Sequence, residues 1–182
     1  SRAMKRRTFL AALPLFGLAA AGGAAARYWP EQGFTNQCLA KLPDAIARHE
    51  LIAAAWSGLS AAHVWDCHTH LVGSGDSGSG AWFSPDMDSL WHPLLHLQKL
   101  FYLNAGCIHE APGQMDLSYV ARMRNLIEGM RPGYKAMLLA FDWHHDEQGR
   151  PQKEHSIFHI PDSYAASLAH QFPAQFEWVA SI

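Results

Sequence analysis

The sequence predicts a mixed α/β fold built on parallel strands, and three observations carry this prediction. After residue 63, apolar segments with strand character alternate with amphipathic segments of helical period, which is the order of successive βα units. The stretch 136–141 is a continuous apolar run, as in strands that are buried on both faces of a parallel sheet. The stretch 64–71 carries two histidines and ends at a Gly-rich loop, and parallel α/β proteins place their sites at such strand ends.

The composition limits the class of protein. The chain has 182 residues, 49% hydrophobic and 16% charged, which is enough for one globular domain with a core. The net charge is -2 and no basic run occurs beyond the N-terminus, so nucleic acid is not an expected partner. Cys38, Cys67 and Cys107 are far apart and odd in number, and they predict neither a disulfide framework nor a zinc knuckle. Cys67 is expected to be a small buried hydrophobe within a strand.

Residues 1–26 are predicted to be an export signal. A basic cluster over 5–7 precedes an apolar stretch over 9–21 and a Gly/Ala-rich end, which is the anatomy of such signals. The run 6–10 resembles the twin-arginine signal, although the flanking positions depart from its pattern, so Sec export stays open. Cleavage is expected near Ala26. The sequence therefore predicts an exported, periplasmic protein without a stable membrane anchor, because the apolar stretch is short for a span.

Residues 27–60 are predicted to form an N-terminal helical extension. Pro43 and Asp44 begin a helix that runs to about Trp56, with apolar side chains at helical spacing, and Gly58 ends it. This helix precedes the histidine-bearing strand and is expected to cover one end of the fold.

Residues 73–115 are predicted to be an insertion that follows the first strand. Its first part, 73–80, is rich in Gly and Ser and is expected to be an exposed, flexible loop. A helix is expected over 90–103. Because the insertion would overhang the end of the strand, it is a candidate substrate lid. The alternative is that its aromatic residues only pack the insertion onto the body of the domain.

Two βα units are expected after the insertion. Asp116 is expected to cap a helix whose apolar residues recur over 119–130 and which ends at 131–133. The remaining predicted elements are a strand over 136–141, a polar loop over 143–159, a helix over 161–172 and a strand over 176–182. A chain that ends on an apolar strand with no helix to cover it is expected to be a truncated protein.

The stretch 64–71 contains the candidate metal site. Side chains alternate between the faces of a strand, so Asp66, His68 and His70 are expected to project to one side. The nitrogens of the two histidines could then reach one metal ion, with Asp66 as an orienting carboxylate. The alternative is a pair of hydrogen-bonded histidines at a strand end.

Asp66-x-His68-x-His70, at the end of the first strand of a βα series, resembles the metal-dependent amidohydrolase superfamily. The chain looks most like its amidohydrolase-2 group, which is related to aminocarboxymuconate-semialdehyde decarboxylase. Three further stretches support this resemblance, namely 102–106, 138–142 and 176–182. The resemblance implies that 61–182 is the N-terminal portion of a (β/α)8 TIM barrel, with about three strands present.

The resemblance also implies an activity. His68 and His70 would be ligands of a divalent metal, commonly zinc, and a metal-bound water would act on a small-molecule substrate by C–N or C–O hydrolysis or by decarboxylation. The catalytic residues and the remaining ligands are expected beyond Ile182, so this chain alone is expected to be inactive. The full-length form could be a homo-oligomer. The alternative is a non-catalytic exported α/β protein that binds a metal or a partner.

Asp142, at the end of the second predicted strand, is a substrate-side candidate, although the sequence does not give the direction in which it faces. The titratable residues of the loop that follows are each expected to be solvated, and the alternative is that one or two of them at most touch a substrate. They are His144, His145, Asp146, His155 and His159.

Overall fold

The computed structural model describes residue 22 and the ranges 38–39, 41–108 and 113–181. In this part the chain is mixed α/β, with a three-stranded parallel sheet, a two-stranded antiparallel sheet and no closed barrel. The export signal predicted over 1–26 lies outside the described residues, apart from Gly22. Among the described helices, none has the length and apolar character that a membrane crossing requires.

The predicted α/β class with parallel strands is confirmed. The strands are β1 (Trp65–His70), β2 (Trp82–Phe83), β3 (Lys135–Leu139), β4 (Phe158–His159) and β5 (Phe176–Val179). The parallel sheet has the order β1-β3-β5, so β3 lies at its centre. Because these three strands run in the same direction, their carboxyl ends meet at one edge of the sheet.

Five α-helices accompany the sheets in the ranges 41–108 and 113–181, and they are α1 (Asp44–Ala47), α2 (Glu50–Ala55), α3 (Pro93–Ala105), α4 (Met115–Glu128) and α5 (Asp162–Gln171). The single helix predicted from Pro43 to Trp56 is wrong, because the chain breaks into α1 and α2. His49 causes the break: its backbone is extended and its ring nitrogen accepts a hydrogen bond from the Leu51 N–H. The side chain therefore caps a new helix.

Helices α4 and α5 supply the side chains that pack on one face of the parallel sheet. The central strand β3 alternates between buried Ala136 and Leu138 and half-buried neighbours. The prediction that this strand is buried on both faces is therefore wrong in the described structure. Its other face lacks a helical layer there, so only one face is fully removed from water. The core includes Leu71, Val120, Met123, Leu138, Ala165, Leu168 and Phe176.

The antiparallel sheet was not predicted from the sequence. Trp82 of β2 pairs with His159 of β4, and Phe83 pairs with Phe158. Strands of two residues are too short to show the alternation from which strands are recognised. This pairing ties the predicted insertion to the loop that follows β3.

Residues 73–80 form the predicted loop, with residues 76–78 and 80 exposed, but the loop is also wrapped around a buried carboxylate. Asp116 is fully buried and accepts the backbone N–H groups of Ser74, Gly75 and Ser77 at 2.7, 3.2 and 3.3 Å. It also accepts the hydroxyls of Ser77 and Ser79 at 2.7 and 2.6 Å. Five hydrogen bonds therefore hold the loop in one conformation.

The cap of α4 also differs from the prediction. Asp116 lies inside α4, and the Asp76 carboxylate accepts the N–H groups of Met115 and Asp116 at 2.9 and 3.1 Å. The loop and the helix are thus joined in both directions. The loop carboxylate of Asp76 accepts N–H groups at the start of the helix, and the helix carboxylate of Asp116 accepts hydrogen bonds from the loop. Burial raises the pKa of Asp116, but the hydrogen bonds from Ser79 and Ser77 outweigh that effect, and its pKa lies below the ordinary value.

Two expectations about cysteine are wrong. Cys38 and Cys107 form a disulfide, with Cα atoms 5.7 Å apart and a sequence separation of 69, which no local spacing could reveal. Cys67 is an exposed free thiol and not a buried hydrophobe. It lies on β1, an edge strand whose residues are mostly exposed.

Candidate metal site

Strand β1 places two histidines side by side at the carboxyl edge of the parallel sheet. His70 is the last residue of β1, and His68 lies two positions before it. Their Nε2 atoms are 3.0 Å apart, and the ring centroids are 4.8 Å apart with a 74° angle between the planes. Both side chains are exposed to solvent. The structure therefore brings together the two residues that the sequence predicts as metal ligands.

The spacing of the two nitrogens fits a shared ion. Two imidazole nitrogens that bind one tetrahedral zinc at about 2.05 Å each lie roughly 3.3 Å apart. The observed 3.0 Å is within a few tenths of an ångström of that value. A small rotation of either ring would complete the fit. The same distance also allows an N–H of one ring to donate to the other. The geometry therefore fits either a shared metal ion or a hydrogen bond between the two histidines.

The surroundings of His70 favour the neutral imidazole. Desolvation lowers the pKa of His70, and the nearby His68 lowers it further. A metal ligand must be the neutral ring with a free lone pair. The backbone carbonyl of His70 accepts a hydrogen bond of 2.7 Å from the Tyr119 hydroxyl on α4, and burial raises the pKa of Tyr119 to about 12. Tyr119 therefore stays a donor and fixes the end of β1.

The side chain of Asp66 does not share a strand face with the two histidines through simple alternation of side chains along β1. The register of β1 against β3 shifts between Asp66 and Thr69, where three steps on β1 match two on β3. Such a bulge interrupts the two-residue repeat. The Asp66 carboxylate accepts the backbone N–H of His68 at 3.0 Å. This bond holds the main chain beside the pair, and a contact of Asp66 with a ligand ring stays a prediction.

In the ranges 41–108 and 113–181, no group of three or more His, Cys, Asp or Glu side chains is arranged to hold a metal ion. The described donor set at the candidate site is thus the pair of histidines. Catalytic zinc sites use three protein ligands. The two histidines are one ligand short of that number.

Asp142 lies at the same edge of the sheet, just after β3. Its backbone N–H donates to the Ser181 hydroxyl at 3.0 Å, which joins the ends of β3 and β5. Its carboxylate lies 3.8 Å from His145 Nε2 and 3.9 Å from His159 Nδ1. A cavity of about 280 Å³ lies against it, lined by polar and apolar residues alike, among them Asp162, Ser163 and Ile160. Asp142 therefore faces a space that a small molecule could enter.

The structure separates His159 from the other loop histidines. His144, His145 and His155 are exposed, whereas the His159 side chain is 14% exposed and stacks on Trp143 with centroids 4.0 Å apart. The expectation that His159 is solvated is wrong, because β4 carries it inward. Its Nδ1 is buried without a hydrogen-bond partner among the described residues. Desolvation lowers its pKa, and the charge of Asp142 acts in the opposite direction.

Phe141 lies between the histidine pair and Asp142. Its ring centroid is 6.1 Å from that of His70 and 4.3 Å from that of Phe158. The side chain is 40% exposed, so it forms an apolar wall beside the pair. The sequence pattern predicts no role in the site for Phe141 or Trp143. The apolar run around His159, residues 157–160, was the one local signal that this segment packs inward.

Comparisons with protein-family models, with curated proteins and with solved structures find no match to this chain.

Proposed function

We propose that the chain carries part of the site of a metal-dependent hydrolase of the amidohydrolase type, with His68 and His70 as two ligands of a divalent metal, zinc in the first instance. The fold would then be the first part of a (β/α)8 barrel. The proposal draws on the parallel α/β arrangement and on the resemblance of Asp66-x-His68-x-His70 to that superfamily.

One observation carries the proposal. The two Nε2 atoms are 3.0 Å apart at the carboxyl end of a parallel strand. Parallel α/β proteins place ligands at that edge, and neutral imidazoles suit zinc. Exposure of both rings leaves a path for an ion from solvent.

The residues of this chain would have distinct tasks. His68 and His70 would donate their Nε2 lone pairs, which requires the proton of each neutral ring to be on Nδ1. The Tyr119 hydroxyl, through the His70 carbonyl, would hold the strand end still. Phe141 would give an apolar surface to a substrate beside His70. Asp142 would accept a hydrogen bond from the substrate on the side of the adjacent cavity. A bound zinc would polarise the substrate carbonyl and lower the pKa of a bound water.

Metal binding tests the proposal without a known substrate. The wild-type chain and the His68→Ala/His70→Ala variant are dialysed against zinc, and the bound metal is measured. We expect about one zinc ion more per wild-type chain than per variant chain. Equal metal contents would refute the proposed site.

A matched control separates the pair from adventitious binding by surface histidines. His63 and His170 are exposed histidines outside the site. The His63→Ala/His170→Ala variant removes the same number of imidazoles and is expected to bind as much zinc as the wild type. Zinc binding that needs the pair, without turnover of amides, esters or carboxylates by the protein, would favour the non-catalytic alternative.

The proposed location of the protein is outside the cytoplasm. The signal anatomy of residues 1–26 supports it, and the disulfide between Cys38 and Cys107 is compatible with an oxidising compartment.

A further inference from the structure

The buried nitrogen of His159 needs a hydrogen-bond donor. His159 lines the cavity beside Asp142, and its Nδ1 atom is buried without a hydrogen-bond partner among the described residues. The ring donates a hydrogen bond to the backbone carbonyl of Phe141, and because Nδ1 has no partner, the donor is Nε2. A neutral imidazole carries one proton. Nδ1 therefore presents a lone pair that nothing in the described structure satisfies.

The atom that faces this lone pair is also an acceptor. His159 Nδ1 and Asp142 Oδ1 lie 3.9 Å apart, and neither carries a proton to share with the other. A nitrogen about 2.9 Å from both atoms spans the gap, with one N–H pointing at each. The geometry thus fits a bridging group that has at least two N–H donors.

The two carboxylates of the cavity keep acceptor capacity that the fold does not use. Asp142 Oδ1 accepts the Trp143 N–H at 2.7 Å, and Asp162 Oδ1 accepts the Ser181 N–H at 3.0 Å. The Oδ2 atom of each accepts no hydrogen bond among the described residues. An ionised carboxylate has about four lone-pair sites, so both groups can accept further hydrogen bonds from a ligand.

The basic side chains near the cavity do not fill this position. His145 Nε2 is 3.8 Å from Asp142 Oδ2, which is too long for a hydrogen bond. Lys153 Nζ lies over the ring of Trp143, 4.9 Å from its centroid. Neither residue lines the cavity. The described lining thus carries two carboxylates and neither a lysine nor an arginine.

We propose that the cavity beside Asp142 binds the primary ammonium group of a small molecule, which donates to His159 Nδ1 and to the Asp142 carboxylate. Asp142 and Asp162 would balance its charge, whereas an anionic ligand would meet two like charges. A metal ion fits less well, since no group of three metal-ligating side chains is arranged for one in the described ranges. The volume of about 280 Å³ leaves room for a short alkyl chain against Ile160.

The ammonium site would define a class of substrate for the proposed enzyme. Phe141 lies between Asp142 and the histidine pair, so a molecule held by its ammonium group could extend along Phe141 toward the metal. This assignment as a substrate subsite rests on the proposed function. The binding of the ammonium group requires no metal, and the two proposals can fail separately.

An NMR titration of the metal-free 182-residue chain with isotope-labelled histidine tests the proposal. The probe is n-butylammonium, compared with n-butanol and butyrate at equal ionic strength. The measurement is made at about pH 7.5, where His159 is neutral because desolvation lowers its pKa. The His159 signals are identified by their loss in His159→Gln. We expect them to shift saturably with butylammonium, to require at least about fivefold more butanol, and not to saturate with butyrate.

Asp142→Asn provides the second arm of the test. It removes the charge and keeps a carbonyl oxygen for the Trp143 N–H, and it should weaken butylammonium binding at least about tenfold. The matched control is Asp86→Asn, which alters a carboxylate 3.4 Å from His92, outside the cavity, and should leave the affinity unchanged.

Three results would overturn the ammonium site. They are the absence of a saturable shift, equal affinities for butylammonium and butanol, and an affinity that Asp142→Asn does not change. If circular dichroism shows that Asp142→Asn disturbs folding, the preference of the wild-type chain for butylammonium over butanol decides the matter. Zinc uptake by the histidine pair without butylammonium binding would refute the ammonium site alone.

Discussion

Asp116 shows how much one side chain organises at the scale of residues. It is fully buried and accepts five hydrogen bonds from a Gly/Ser-rich segment that has few apolar side chains of its own. A buried carboxylate is tolerated only with such compensation. The order of residues 73–80, and hence the path of the chain just after the histidine pair, depends on it.

Replacement of Asp116 by Asn is expected to lower the free energy of unfolding by about 2–3 kcal/mol, because buried N–H and O–H donors lose a charged acceptor. The control is Asp44→Asn, whose carboxylate makes an exposed i,i+4 ion pair with Arg48 worth at most about 0.5 kcal/mol. Urea unfolding measures both variants. Equal effects at the two positions would show that the network does not stabilise the fold.

Asp116 also predicts how stability changes with pH. Its pKa is lowered in the folded chain from the ordinary value of 3.8, so between the two values the unfolded chain binds more protons. The stabilisation is therefore complete above pH 3.8 and is lost as the pH falls through the lower, folded value. Urea midpoints measured from pH 7 down to pH 3 should fall more steeply for the wild type than for Asp116→Asn. Parallel curves would contradict this assignment.

The sequence predicted part of this residue-scale picture. The closeness of His68 and His70 follows from a spacing of two in a strand, which is a local property. The partners of Asp116 lie 37 to 42 positions away, and His159 meets Asp142 across 17 positions. Contacts between residues so far apart in the sequence depend on the tertiary fold, and they leave no local pattern in the sequence.

At the scale of elements, two of the four glycines in the loop between β1 and β2 differ in one respect. Gly75 and Gly78 have φ angles of +80° and +79°, so a side chain at either position is strained. A Cβ at Gly75 would lie 2.4 Å from the Ala81 carbonyl oxygen, whereas one at Gly78 would meet nothing within 4 Å. A comparison of alanine substitutions at Gly75 and Gly78 therefore distinguishes the cost of backbone strain from the cost of a steric clash.

Gly78→Ala is expected to cost about 1 kcal/mol, the price of the left-handed conformation alone. Gly75→Ala is expected to cost at least about 2 kcal/mol more, because the loop must move away from a backbone atom. Thermal unfolding of the two variants measures the difference. Similar losses would mean that the loop yields easily and that the five bonds to Asp116 do not hold it rigidly.

The disulfide fixes the segment before α1 to the turn after α3. With a sequence separation of 69 residues, the chain-entropy model gives a stabilisation of about 4 kcal/mol. The Cys38→Ser/Cys107→Ser variant should unfold at lower denaturant by up to that amount. Cys67→Ser, which removes an exposed free thiol, should change stability by less than about 0.5 kcal/mol. A chain whose stability does not change on loss of Cys38 and Cys107 would contradict a structural role.

Elements with strong periodicity were predictable. The apolar run of β3 and the helical spacing in α4 and α5 gave their existence, although their ends shifted by a few residues. The split between α1 and α2 could not be predicted, since it depends on a cap formed by one histidine side chain. The pairing of β2 with β4 could not be predicted either, because it joins two-residue segments from distant parts of the chain.

At the scale of the whole molecule, the parallel order β1-β3-β5 places the ends of all three strands along one edge. The histidine pair, Asp142 and Ser181 lie along that edge. The sheet has helices on one face, and several large apolar residues of the sheet are exposed, including Trp65 and Trp178. Within the described residues the sheet therefore presents one face to solvent, and its carboxyl edge is the edge at which parallel α/β proteins place ligands.

The most direct test of the central claim is X-ray absorption spectroscopy of the zinc-loaded chain. If His68 and His70 bind the metal, the spectrum should show two imidazole nitrogens at about 2.0–2.1 Å, and this signal should disappear in the His68→Ala/His70→Ala variant. Zinc surrounded by oxygen alone, or an imidazole signal that persists in the double variant, would contradict the assignment of this pair as the metal site.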